Sequence, residues 1–375
     1  MSERTAKTSL RTVLVGIEST CDETACAVVA DGTTEQAGGR EVVSSVVASQ
    51  SDLHARFGGV VPEIASRAHT EAIGPVISRA LAEAGAAPAC VAAVAVANRP
   101  GLIGSLLVGL MAAKTLAWVW RVPLIGVNHI HAHAYSPAMD SDPIEYPAVA
   151  LIASGGHTSL YLCRSPMDLE LLGATIDDAA GEAFDKVSTI LNLGHPGGPA
   201  IEQAARGGRA DAIKFPRSLL KGQSLDFSFS GIKTAVLYHV NGVPGAVREG
   251  VEKGVEHLSE QDIADIAASF QAAMVDVMRI KIRRAVQAAG AAVRTIIVGG
   301  GVAANSALRR AVVQLGGKLG VAVRIPDMKY CTDNAAMVAG LAWHHLHAGR
   351  TDDLRLAATA TVQRLSSAVG LSGGE

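Results

Sequence analysis

The chain alternates short apolar runs with polar, glycine-rich breaks, and one layout occurs twice. Thr12 to Ile17 reads as a strand, Glu18-Ser19-Thr20-Cys21-Asp22-Glu23 as a polar turn, and Thr24 to Ala30 as a second strand. Ala148 to Ala153, Ser154-Gly155-Gly156-His157 and Thr158 to Cys163 repeat that strand, turn and strand. Two such hairpins, one opening each half, predict a duplicated α/β architecture. Ala92 to Ala97 and Thr295 to Val298 are further strands, each followed by a loop and a helix: Asn98 to Ser105 in one case, Gly299 to Ser306 in the other. Glycine there lets backbone approach a neighbour or ligand closely. The unpaired N–H groups and hydroxyls of such turns can face a phosphate, with an ordinary hairpin as the alternative. Asn305 is placed to cap the last of these helices, or to bond a ribose or base.

A chain of 375 residues has room for about two domains. Hydrophobic residues at 49% and charged residues at 18% give a globular balance, and aromatics at 4% leave the core to Ala, Val, Leu and Ile. The five cysteines are odd in number and form no C-x-x-C pair, which predicts buried thiols in a reducing, cytoplasmic setting. Met1 to Arg11 lacks the apolar core of a signal peptide. Leu102 to Trp120 is apolar enough to suggest a membrane span, but Lys114 interrupts it and a Gly-rich loop precedes it, so a buried helix with no membrane contact is expected. A net charge of −2 confines nucleic-acid contact to local patches. Arg206, Arg209, Lys214, Arg217 and Lys221 form one candidate, and Arg279, Lys281, Arg283 and Arg284 a second. Asn241 to Gln261 is expected as a surface insertion, and the chain after Arg355 as a frayed tail.

The densest chemistry is Asn128-His129-Ile130-His131-Ala132-His133, which follows the apolar strand Val122 to Val127. If Asn128 caps a helix, His129 and His133 share a face at i and i+4, the spacing at which two imidazoles hold one metal ion, while His131 points away. On a strand all three would share a face, and satisfied polar histidines near a turn are the plain alternative. Asp333, in Tyr330-Cys331-Thr332-Asp333-Asn334 before an apolar helix, is a candidate third ligand or simply a cap. Two imidazoles and one carboxylate would leave open positions on the ion, as catalysis requires.

With these residues assembled, the sequence resembles the tRNA adenosine threonylcarbamoyltransferase family, once taken for O-sialoglycoprotein endopeptidases. The matching segments run from about Val13 to about His345: Gly16 to Thr24, Gly58 to His69, Asn128 to His133, Ser154 to Thr158, Asp178 to Lys186, Pro196 to Pro199, Phe229 to Thr234, Gly299 to Asn305 and Thr332 to Asn334. The resemblance implies the actin-like/sugar-kinase/Hsp70 ATPase fold, with two lobes around a nucleotide cleft. Residues 10–145, completed by a returning helix at 332–350, would form the N-terminal lobe, 146–330 the C-terminal lobe, and 351–375 a flexible tail. It implies one divalent metal, iron or alternatively zinc, on His129, His133 and Asp333. Threonylcarbamoyl-AMP would be held by Ile152, Ala153, Ser154, Gly155, Gly156, Asp185, Gly198 and Asn305, with Glu202 where some relatives have aspartate; ATP or AMP would fit the same cleft. The implied reaction passes the threonylcarbamoyl group to N6 of adenosine 37 in tRNAs reading ANN codons, releasing AMP. Asp22 and Glu23 are the candidates for taking or orienting the amine proton. Implied partners are the tRNA anticodon loop, a catalytically inactive paralogue of the same fold and a small ATPase. A nucleotide-driven scaffold, a small-molecule O-carbamoyltransferase and a metalloprotease are the rival readings. Against the last, Ile130 follows His129 where a zincin has its glutamate.

Overall fold

The computed structural model describes residues 11–32, 40–140, 143–218, 222–244 and 254–360. The first half contains β1 (Val13–Glu18), β2 (Glu23–Asp31), β3 (Arg40–Ser49), β4 (Val91–Arg99) and β5 (Leu124–Asn128). Helices α1 (Ser51–Ala55), α2 (Pro62–Ala84), α3 (Ile103–Trp120) and α4 (His129–Tyr135) connect or follow them. The second half contains β6 (Ala148–Ala153), β7 (Thr158–Ser165), β8 (Asp168–Ala174), β9 (Thr295–Gly299) and β10 (Ala322–Arg324). With these go α5 (Ala180–Ile190), α6 (Gly197–Ala204), α7 (Ser230–Asn241), α8 (Glu260–Ala289), α9 (Ser306–Leu319) and α10 (Ala335–His347).

The two sheets are copies of one plan. The first runs β3-β2-β1-β4-β5 and the second β8-β7-β6-β9-β10. In each, the first three strands form an antiparallel meander and the last two lie parallel to the central strand. This repeated order is the actin-like/sugar-kinase/Hsp70 arrangement. The central strands β1 and β6 are buried at every position, as strands covered on both faces must be.

Close approaches at glycine position the short helix α4 and the start of α10. A Cβ at Gly16 in β1 would lie 2.5 Å from the Ala335 carbonyl oxygen, so only glycine lets α10 settle flat on that strand. A Cβ at Gly299, closing β9, would run into the His133 carbonyl oxygen. Between these contacts α4 is wedged. Its Ala132 and Tyr135 pack with α10 under the first sheet, while Ile130 and Ala134 pack with Ala148, Ala150 and Ile152 of the second. Both cores therefore grip a seven-residue helix that would be unstable alone.

Several expectations change. Glu18 closes β1 and Glu23 opens β2, so the first turn is shorter than its polar run. Helix α3 buries only its inner face, Leu106, Leu110, Ala113 and Ala117, against the sheet; Ile103, Leu107, Met111 and Trp118 are exposed. By length and composition it is the one described helix able to cross a membrane. The expectation of a buried helix holds for one side only: the sheet covers that side, and among the described residues nothing covers the other. Asn241 ends α7 and Glu260 and Gln261 begin α8, so helices trim the expected insertion; 245–253 lie outside the described residues. The chain to residue 360 is not frayed: Asp352 pairs with Leu124 of β5, and Leu356 and Ala358 pack on the first core. The remainder, 361–375, lies outside the described residues.

Replacing Gly16 with Ala forces a methyl group into the backbone of α10. Urea unfolding of Gly16→Ala should show a loss of about 1–3 kcal/mol, the range for overpacking a filled core.

Candidate active site

The three candidate ligands converge. Asn128 caps α4, its side-chain oxygen accepting from the N–H groups of Ile130 (2.9 Å) and His131 (3.4 Å). The helix then puts His129 and His133 on one face, ring centroids 4.5 Å apart. At the other end of the sequence, Asn334 caps α10 by accepting from the Met337 N–H at 3.0 Å. Asp333 is thus not the cap. Its carboxylate faces the imidazoles, with Oδ1 3.0 Å from His133 Nε2 and 3.4 Å from His129 Nε2. One donor atom from each of the three lies within 4.8 Å of the others. His131 turns away and packs edge-on against Tyr161, as the helical spacing requires.

Glu18 is the residue that the sequence reading missed. Its Oε2 lies 2.9 Å from His129 Nδ1, and Oε1 accepts from the Thr20 N–H at 2.7 Å. A carboxylate only accepts, so Nδ1 carries a hydrogen, and in its neutral form the ring turns its Nε2 lone pair toward Asp333. A lone pair and a carboxylate oxygen facing each other across a buried 3.4 Å gap call for a cation or proton between them. The donor set and this carboxylate–histidine orientation suit a divalent ion. The available signal was a single carboxylate closing an otherwise wholly apolar strand.

The electrostatics agree with that reading. Burial lowers the His129 pKa, but the Asp333 and Glu18 carboxylates outweigh it and raise it to about 9. Burial, and then the neighbouring His129, hold His133 below its ordinary value. Burial pushes Asp333 up, yet the His129 charge and the His133 hydrogen bond bring it well below the usual carboxylate range. A metal-free site therefore keeps its proton on His129. Glu23 is different: burial, then the Asp333 and Asp22 charges, push its carboxyl up to about 10. Asp22 is half-buried in the adjoining turn.

The proposed substrate contacts gather around the second hairpin. Ile152 and Ala153 are buried at the end of β6, whereas Gly155 and Gly156 are exposed at the turn. Gly181, at the start of α5, donates to the Ser154 carbonyl at 3.1 Å. Asp185 accepts from the Gly197 N–H at 2.7 Å and so caps α6. Glu202 accepts from the Ser306 N–H at 3.2 Å and from its hydroxyl, binding α6 to the start of α9. Asn305 caps α9 through Leu308 N–H at 2.9 Å, and its amide donates to Gln271 at 2.7 Å. At Gly155, Gly156, Gly198 and Gly301 a Cβ would meet nothing within 4 Å, so these backbones border open space. Asp185 and Asn305 thus hold the starts of α6 and α9, and Glu202 ties the two helices together.

Neither basic cluster stands free as drawn. Arg209 forks onto Asp265 (2.7 and 3.1 Å), and Arg217 and Arg279 both pair with Asp276. Lys281 is buried and donates to the Ser224 carbonyl at 2.6 Å. Arg206, Lys214 and Arg283 are exposed, and Lys221 lies outside the described residues.

Two predictions concern the ion. Because a bound ion must displace the His129 proton, its apparent affinity should rise about tenfold per pH unit and level off near the His129 value of about 9; competition titrations with a chelator read this. Glu18→Gln should weaken metal binding by about 10–100-fold, while His133→Ala or Asp333→Ala should abolish it with the circular dichroism unchanged.

Comparison with known proteins bears on the reaction. Residues 41–340 match the family described as tRNA N6-adenosine threonylcarbamoyltransferase. Proteins of that name from Trichlorobacter lovleyi and Rhodopirellula baltica are each 48% identical to this chain, covering 93% and 95% of it and 96% and 99% of themselves. That from Symbiobacterium thermophilum is 49% identical, over 92% of this chain and 94% of its own. Among solved structures, T. kodakarensis HypF superposes with a TM-score of 0.57 at 14% identity, covering 89% of this chain and 48% of HypF, which supports the fold alone. Near full-length identity approaching one half, on a fold of the expected topology, leads to one conclusion: the chain belongs to the tRNA N6-adenosine threonylcarbamoyltransferase family, enzymes that transfer a threonylcarbamoyl group to tRNA.

Proposed function

We propose that this enzyme takes threonylcarbamoyl-AMP as donor and acylates N6 of adenosine 37 in tRNAs reading ANN codons, using a metal held by His129, His133 and Asp333. The convergence of those three side chains within 4.8 Å carries the reading. An exocyclic adenine amine is a poor nucleophile because its lone pair is delocalised into the ring, so the donor must be activated and the amine positioned. An ion on the triad, for which iron is our first assignment and zinc the alternative, would supply Lewis acidity to an acyl or phosphate oxygen of the donor.

The chain's own residues do the rest. Gly155, Gly156 and Gly198 offer backbone at the open floor for the adenylate phosphate and sugar, framed by Ile152, Ala153, Ser154, Asp185, Glu202 and Asn305. The N6–C bond forms as the bond from the acyl carbon to the AMP oxygen breaks, and AMP leaves with the electron pair. We assign acceptance of the N6 proton to Asp22. Glu23, whose carboxyl retains its proton, orients the amine or the departing group as a hydrogen-bond donor. A base in a tRNA loop can be unstacked into such a cleft.

The two sheets, with α10 seated on the first, support lobes at 10–145 plus 332–350 and at 146–330. We further assign a catalytically inactive paralogue and a small ATPase as partners, acting in the cytoplasm. With Arg209, Arg217 and Arg279 of the two basic clusters already paired to acids, the clusters offer tRNA less free charge than their sequence suggests, and an added partner surface meets that need.

Depleting the protein from cells should remove threonylcarbamoyl-adenosine from digested tRNA, read by mass spectrometry. An unchanged level in cells with no second gene copy defeats the proposal. In purified protein, Asp22→Asn should slow transfer by about 10²–10⁴-fold, the usual contribution of a positioned acid or base.

A further inference from the structure

The segment Gly58 to His69 supplies none of the residues assigned above, yet its last member reaches the catalytic turn. His69 lies on α2, its ring fully buried. Nε2 sits 3.0 Å from the Cys21 carbonyl oxygen and Nδ1 2.7 Å from the Thr24 hydroxyl. A carbonyl only accepts, so Nε2 carries the hydrogen; Nδ1 then presents its lone pair, and the Thr24 O–H donates to it. Burial holds the ring's pKa below its ordinary value, against the pull of that carbonyl and of Glu18 and Asp22, and favours this neutral tautomer.

The two partners bracket Asp22 and Glu23, one on each side. Other anchors fix the rest of the turn. Leu102 N–H donates to the Thr20 carbonyl at 2.9 Å, Gln50 N–H to the Asp22 carbonyl at 3.0 Å, and the Ser105 hydroxyl to the Cys21 carbonyl at 3.3 Å. Among these, His69 alone bonds both sides of the Asp22–Glu23 pair. We propose that His69 is a positioning residue for acyl transfer: by tying Cys21 and Thr24 to α2 it sets where the Asp22 and Glu23 carboxyl groups stand. The inference rests on the reading of that pair as the proton-handling groups.

The test is single-turnover transfer by the full chain, with its tRNA, partners and saturating threonylcarbamoyl-AMP. His69→Leu and the near-isosteric Thr24→Val should each lower the rate by about 10–100-fold, as misplacement of a reacting group by about 1 Å does, with bound metal unchanged. His69→Gln, which keeps an N–H donor and an acceptor, should recover part of the loss. In an Asp22→Asn, Glu23→Gln background, adding His69→Leu should cost less than about twofold, because the groups it positions are gone. A full, additive loss in that background would mean that His69 is only a packed core residue, and the inference falls. Normal rates in Thr24→Val overturn it too, and that variant carries the test if His69→Leu does not fold. If Asp22→Asn, Glu23→Gln itself transfers at the normal rate, the proton-handling assignment fails first and separately.

Discussion

The site depends on two backbone contacts that no side chain could share. At Gly16 the start of α10 rests directly on β1, and at Gly299 the end of β9 rests directly on the carbonyl of His133. Together they hold α4 between two hydrophobic cores and bring a carboxylate from residue 333 to imidazoles at 129 and 133. A short helix has little stability of its own; here tertiary packing supplies it, and the ligand geometry inherits the rigidity of both sheets. The chemistry is thus as well fixed as the central strands, although it sits where two halves of the molecule meet.

Charge in the site is arranged around one proton. Glu18 and Asp333 flank His129 from opposite sides, and the imidazole between them takes the positive charge that either an ion or a proton must supply. Burying two carboxylates with no compensating cation would be costly. Burial holds the His133 pKa below its ordinary value beside it, and burial pushes the Glu23 carboxyl up to about 10, so the buried cluster avoids accumulating charge of either sign. The same economy explains why Asp333 is free to face inward: Asn334 takes over the capping of α10.

Much of this was legible in the residues. The repeated strand-turn-strand layout announced a duplicated fold, and with Asn128 read as a helix cap, the spacing of His129 and His133 pointed to a shared helical face. What the sequence hid were contacts set by packing. Glu18 looked like the first residue of a polar run, because nothing local tells that a strand continues through it and buries its end. Asp333 and Asn334 are both good caps, and only the entry angle of α10 chooses between them. The arginines at 209, 217 and 279 looked like a cationic surface because their acid partners, Asp265 and Asp276, lie far off in sequence or on the same long helix. The outer side of α3 is as apolar as its inner side, so composition alone could not say that only one is covered.

The final described stretch has a consequence of another kind. Strand β5 is the outer strand of its sheet, with a row of hydrogen-bonding groups facing outward. Asp352 N–H donates to the Leu124 carbonyl, and its side chain accepts from the Gly126 N–H, both at 2.8 Å. Farther along, Asn98 donates to the Ala357 carbonyl and accepts from the Thr359 N–H. The returning chain thereby hems a border that would otherwise invite stray strands, so trimming the protein back to its last helix would trade a sealed margin for a sticky one.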